Sequence, residues 1–212
     1  MTYEQVTFQD HYKLAELGYA DAQNVIGRCY THGFGVEEDK AAGTEWFRRA
    51  AEQGHVRAQY NLGIHYEDGI GVTADPALAA YWYRRSAEQG FRDAQFHYAM
   101  CCLHGNGVPR DLEQALIWCR RAAELGNSEA QYALGVLYWS GLDGVEKNEQ
   151  LGAYWLHNAA GQGEADAQYL LALCYASGDG VTQNDDLMML WYREAAKQGH
   201  PEAQAELAVL EA

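Results

Sequence analysis

The chain has 212 residues, with 30 Asp and Glu against 15 Lys and Arg, and a formal net charge of −15. A field of that sign repels phosphate backbones and anionic bilayers and attracts cationic partners, which argues against nucleic acid. No stretch approaches the roughly 18 consecutive apolar residues of a membrane-spanning helix, and the five Cys form neither a CxxC pair for zinc nor a regular disulfide framework.

In chain order, the segment 1–21 is polar and charged. It lacks the basic start and apolar run of a signal peptide, so the expectation is a cytoplasmic chain, or a periplasmic one if a leader has been removed. Residues 1–18 read as a capping helix. Ala15-Glu16-Leu17-Gly18 matches the end of the repeats that follow, while Asp10 stands where those repeats carry Trp. A polar residue there suits an end with no neighbour to cover it.

From there one phrase recurs. Ala-Gln pairs begin at Ala22, Ala58, Ala94, Ala130, Ala167 and Ala203, with steps of 36, 36, 36, 37 and 36 residues. Trp46, Trp82, Trp118, Trp155 and Trp191 keep the same relative place, and each full repeat closes on a glycine: Gly54, Gly90, Gly126, Gly163 or Gly199. A period of this size means stacked supersecondary repeats, which build long binding surfaces and seldom deep clefts. The repeats are read as 19–54, 55–90, 91–126, 127–163 and 164–199, with 200–212 as a closing helix, in one array over 1–212 without a linker.

Inside one repeat, Ala58, Leu62, Gly63 and Tyr66 share one side of a predicted helix, and the small residues let a neighbouring helix come close. The glycine-rich break Asp68-Gly-Ile-Gly71-Val72 stops that helix, and the fourth repeat takes its extra residue at the same break, Gly141-Leu-Asp-Gly144-Val145. Asp39, Asp75, Asp111, Asn148 and Asn184 are placed to cap a second helix. Pro76 fits its first position, and the closing glycine its C-cap. Each repeat is therefore two antiparallel helices, and the fold class is all-α.

This pattern, A-Q-Y-x-L-G-x-x-Y-x-x-G-x-G-V-x-x-D…W…A-A-x-x-G, resembles the Sel1-like repeat, a relative of the tetratricopeptide repeat, over nearly the whole chain. The resemblance implies a right-handed α-solenoid of helix-turn-helix repeats of about 36 residues, five full repeats plus partial capping helices. First helices would line its concave side and second helices its convex side. It also implies an adaptor or scaffold in protein complexes, some bacterial members acting in host contact or as neutralisers of secreted toxins. Tyr98-Ala99, Cys102 and Ala172 depart from the pattern, yet Ala keeps the close-approach position small.

With Ala22, Ile26, Gly27 and Tyr30 turned to the partner helix, the opposite face of each first helix is set by geometry. Read across the repeats, that face carries the expected partner-binding residues Tyr60, Ile64, Phe96, His97, Met100, Leu103, Tyr132, Val136, Trp139, Tyr169 and Leu173, with an acidic rim of Asp93, Glu129 and Asp166. Aromatic and Met side chains on a solvent-facing strip suit a protein or peptide partner with apolar anchors and some Lys or Arg. Trp139 is the sharpest of these, being the only Trp outside the second-helix column. The Tyr column has a second reading, packing between neighbouring repeats, and both stand at this stage.

Catalytic motifs are missing: there is no HExxH, no GxSxG, no P-loop and no Ser-x-x-Lys. His97 and Cys101 lie i, i+4, but two ligands do not make a metal site. Cys29, Cys101 and Cys174 share a column with His65 and Leu137, which reads as packing. No catalytic residue, cofactor or metal is expected. The leading reading is a non-enzymatic binding scaffold. A bacterial immunity-type protein is the alternative, and a β-lactamase-like hydrolase, suggested by disulfide-rich relatives, the third.

Overall fold

A computed structural model describes residues 3–142 and 145–211, with side chains from Phe8 onward. Among the described residues there are twelve helices and no strand. α1 (Tyr3–Glu16) precedes five helix pairs: α2 (Ala20–His32) with α3 (Lys40–Glu52), α4 (Val56–Asp68) with α5 (Pro76–Glu88), α6 (Arg92–His104) with α7 (Leu112–Glu124), α8 (Ser128–Ser140) with α9 (Glu149–Gly161), and α10 (Ala165–Ser177) with α11 (Asp185–Lys197). α12 (Pro201–Leu210) closes the chain.

The caps explain where the second helices start. Asp39 accepts from the Ala42 amide at 2.9 Å, Asp75 from Ala77 and Leu78 at 2.9 and 3.0 Å, and Asp111 from Gln114 at 3.0 Å. Asn148 and Asn184 do the same for Leu151 and Leu187 at 3.0 and 2.9 Å. Each capping residue also closes the turn before it through its own N–H. Asp39 donates to the carbonyl of Tyr30 at 2.8 Å, Asp75 to Tyr66 at 2.8 Å, and Asn148 to Tyr138 at 2.7 Å. The last bond spans one residue more, so the extra residue of the fourth repeat is absorbed inside its turn. At the other end of the second helices the C-cap is Gln53, Gln89, Gln162 or Gln198. The closing glycines come one place later, with φ of +88° at Gly54 and +86° at Gly90. They occupy the residue after the cap, where a left-handed turn is needed.

Small residues set the distance between paired helices. A Cβ on Gly27 would meet the Phe47 ring at 2.7 Å, one on Gly63 the Tyr83 ring at 2.6 Å, and one on Gly135 the Leu156 side chain at 2.7 Å. The second glycine of the turn sets the distance to the preceding repeat. A Cβ on Gly71 would stand 2.2 Å from the carbonyl oxygen of Lys40, and one on Gly107 1.9 Å from that of Pro76.

The glutamine of each Ala-Gln pair is an internal tie. Its Nε2 donates to a carbonyl eight residues back: Gln23 to Ala15, Gln59 to Ala51 and Gln131 to Ala123, at 3.0–3.1 Å. Its Oε1 accepts from the capping glutamine of the second helix, Gln53 to Gln23, Gln89 to Gln59 and Gln162 to Gln131, each at 2.7 Å. Gln95 is the exception: among the described residues its buried Oε1 has no hydrogen-bond partner. In sequence, the place thirty residues on holds Leu125 where the other repeats have Gln.

The chain divides into two compact units, Met1–Ala115 and Leu116–Ala212. In the first, Phe8, Ala22, Ile26 and Trp46 form one buried cluster, flanked by Tyr12 and Tyr30. In the second, Leu156, Ala159, Leu171 and Cys174 form another, flanked by Tyr132, Trp139 and Trp191.

Candidate partner-binding surface

In the first unit, Tyr60, Ile64, Phe96, His97, Met100 and Leu103 are all half-buried. Tyr60 is held from several sides. Its ring lies 5.1 Å from that of Phe91 and 5.9 Å from that of Tyr83, and its hydroxyl is 3.2 Å from His97 Nε2. Tyr83, buried beneath, donates to Glu67. Burial first, then that hydrogen bond and the carboxylate's charge, pushes its phenol well up. Glu67 Oε2 also lies 3.6 Å from His97 Nδ1. Tyr60 and His97 therefore stitch the second repeat to the third. Phe96 rests its edge near His97 at 6.1 Å, and Asp93 pairs with Arg92 at 3.6 Å.

In the second unit, Tyr132, Val136, Trp139, Tyr169 and Leu173 are also half-buried. Tyr169 stacks on His200 at 4.6 Å, and Leu173 packs on the cluster of Ala172, Tyr192 and Ala195. His200 caps α12 by accepting from Ala203 at 3.3 Å, and its Nε2 lies 3.3 Å from Asp166. Trp139 has a complement in the second helix: a Cβ on Gly152 would meet the backbone nitrogen of Trp139 at 2.7 Å. The same two columns pair Thr31 with Gly43 in the first repeat, where the corresponding distance to the Thr31 hydroxyl is 2.4 Å. The close approach is to the backbone and Cβ at position 139, so it explains Gly152 and not the indole of Trp139.

Acids at the starts of α8 and α10 act on one another and on Tyr132. Glu164 has its carboxyl pushed up by burial and then by the charges of Asp166 and Glu129. Tyr132 is itself pushed up by burial and then by Asp166 and Glu164. Glu129 and Asp166, both assigned to the acidic rim, so act on one spot.

Sequence reasoning missed another row. Tyr81 in the first unit is 47% exposed, and Tyr154 and Leu190 in the second are 57% and 45% exposed. Each stands one place before the Trp of its repeat. That column is legible in the sequence, at a fixed place on each second helix. Burial pushes the thiols of Cys101, Cys119 and Cys174 up to about 12, and raises those of Cys29 and Cys102 as well. Among the described residues, no three His, Cys, Asp or Glu side chains gather into a metal-holding group, and no helix is long and apolar enough to cross a membrane.

The Sel1 repeat model matches five times in succession, over residues 20–55, 56–91, 92–127, 128–164 and 165–200. The chain belongs to the Sel1 repeat family. Proteins built of Sel1 repeats are generally protein-interaction scaffolds. Among solved structures, the chain is similar to c5321, a protective antigen with an SLR fold from uropathogenic Escherichia coli strains, with 36% identity and a TM-score of 0.87 over 98% of this chain and 44% of that one. It is likewise similar to a Sel1 repeat protein from Oxalobacter formigenes, with 32% identity and a TM-score of 0.89 over 96% of this chain and 58% of that one. The immunity protein Pa5087 from Pseudomonas aeruginosa shares 25% identity and a TM-score of 0.54 over 87% of this chain and 67% of that one. The chain spans about half the length of the first two. No curated protein matches it.

Proposed function

We propose that this Sel1 repeat chain is a non-enzymatic adaptor that holds a protein or peptide partner on the half-buried faces of its first helices. In the second unit the face is built from Tyr132, Val136, Trp139, Tyr169 and Leu173, and in the first from Tyr60, Ile64, Phe96, His97, Met100 and Leu103. The observation that carries this reading is the placement of Glu129 in the first turn of α8 and of Glu164 and Asp166 at the start of α10, where Glu129 and Asp166 act on Glu164, and Asp166 and Glu164 on half-buried Tyr132. Like charges that act on one another are a cost which a Lys or Arg of a partner relieves, next to apolar area it can bury. Asp93 plays the corresponding rim role in the first unit. The five unpaired cysteines fit a reducing compartment such as the cytoplasm. Nucleic acid is not a partner on this reading, and a chromogenic β-lactam should be left intact.

The test is affinity capture with mass spectrometry, comparing wild type with Phe96→Ala and Glu129→Lys. Phe96→Ala should cost about 2 kcal/mol or more of partner affinity, with helicity unchanged. Glu129→Lys should weaken capture most at low salt. Retention of the same partners at wild-type strength by both variants would reject this surface.

A second, narrower reading is an immunity-type protein that neutralises one cognate toxin by occluding it. The likeness to the Pseudomonas immunity protein and the net charge of −15 support it, given a toxin with a basic surface. Growth rescue on co-expression with a neighbouring toxin gene tests it, and absence of rescue against every neighbouring gene product counts against it.

A further inference from the structure

In the unit Met1–Ala115 a cleft of about 190 Å³ opens between α2, α4 and the turn that follows α4. That is far more than the roughly 15 Å³ a single water needs. Its apolar lining is Phe47, 2% exposed, with Ile64 and Ile70. Its polar lining includes Arg28 and His32, i and i+4 on α2 and so on one side of that helix. Among the described residues neither side chain makes a hydrogen bond or an ion pair.

Arg48, Arg49, Arg84 and Arg193 all have a carboxylate partner. Arg28 instead projects from the rim of an apolar hollow. The opposite wall is fixed: His65 is buried and its Nδ1 is 2.7 Å from the Thr44 hydroxyl, which itself lies 2.8 Å from the carbonyls of Lys40 and Ile70. The acid acting on His65, Asp68, sits at the end of α4 and does not line the cleft.

We infer that this cleft binds a carboxylate carried on a short apolar stem. The guanidinium of Arg28 takes both carboxylate oxygens, a geometry that suits its two parallel N–H groups. His32 donates a further hydrogen bond, and the stem covers Ile64 and Ile70. Two sources share this chemistry: a free small acid, or the end of a peptide chain. The site stands independently of the adaptor reading, although Ile64 belongs to both surfaces.

The experiment is titration of the full chain, followed by the backbone and His32 nuclear magnetic resonance signals. The probes are isocaproate, isocaproamide and N-acetylglycylleucine with a free or an amidated end. The free acids should shift the signals of α2 and of the turn around Ile70 saturably. Each amide should bind at least about tenfold more weakly, since it loses a charge-assisted pair. Arg28→Gln should lose the same factor with its thermal midpoint unchanged, because Arg28 is exposed and unpaired, while Arg57→Gln on α4 should behave as wild type. Amides that bind as well as acids, or Arg28→Gln binding at wild-type strength, would overturn the inference. Tighter binding of isocaproate assigns the cleft to free acids, tighter binding of the peptide acid to chain ends, and either supports it. Acid binding beside unchanged capture by Phe96→Ala keeps the cleft and removes the adaptor surface. The converse result removes the cleft alone.

Discussion

Replacing Gly107 by Ala tests whether the turn glycines let neighbouring repeats meet backbone to backbone. Two costs add. Gly107 has φ +73°, a left-handed conformation that charges an L side chain about 1–2 kcal/mol. The new Cβ would also stand 1.9 Å from the carbonyl oxygen of Pro76 and 2.3 Å from its carbon. Those atoms are backbone in the first turn of α5, so relief means moving that helix terminus within a close-packed unit. Overpacking of this kind costs about 1–3 kcal/mol. The total is then about 2–5 kcal/mol out of a stability of order 5–15 kcal/mol. Gly105→Ala isolates the first cost: its φ is +74°, and its Cβ would meet Arg110 at an ordinary 3.4 Å. Gly90→Ala, with φ +86° and open space around it, is a second control. Urea unfolding followed by circular dichroism should place the Gly107→Ala midpoint clearly below both controls. Equal midpoints for Gly105→Ala and Gly107→Ala would refute the close-approach argument.

Gln89→Leu removes the donor that Gln59 Oε1 accepts at 2.7 Å and should cost about 1–3 kcal/mol in the same assay, the penalty of a buried acceptor left alone. The double change Gln59→Leu with Gln89→Leu should cost less than the sum of the two single changes, and strict additivity would argue against the tie. His65 supplies a pH test. Burial lowers its pKa from 6.5 to about 4. Between those values the unfolded chain binds a proton that the native one refuses, so this contribution is full above 6.5 and lost as pH falls towards 4. His65→Leu, the residue found at Leu137 in the same column, should therefore lose less stability than wild type between neutral pH and about pH 5. A difference between the two proteins that does not change with pH would contradict this.

Much of the fold was legible because it rests on local chemistry. Asp39, Asp75, Asp111, Asn148 and Asn184 do cap second helices, since capping needs only a short acceptor two or three residues before the free amides. The histidine caps were not legible. His55 accepts from Ala58 at 3.0 Å while its Nε2 lies 3.0 Å from Asp21, a residue 34 places earlier. Nothing local marks His for that task. The Ala-Gln pair was visible as a repeated word, yet its work depends on Gln53 or Gln89, 30 residues away. On the candidate surface, the columns named Tyr60, His97 and Tyr169 as expected partner-binding residues of the first helices. They did not say that Tyr60 would be held by Phe91, Tyr83 and His97, or that Tyr169 would stack on His200.

The spacing of Ala-Gln, Trp and Gly determined by itself that the chain is paired helices in repeated register, because helix starts, stops and faces follow from residues a few places apart. Which side chains on those faces stay available was decided only by the tertiary structure. It seated the Trp139 backbone against Gly152, set Glu129 and Asp166 acting on Glu164, and left Arg28 unpaired above Phe47. The physical reason is that burial and pairing depend on residues from neighbouring helices. Their approach is set by backbone contacts such as Gly107 on Pro76, which no single segment encodes.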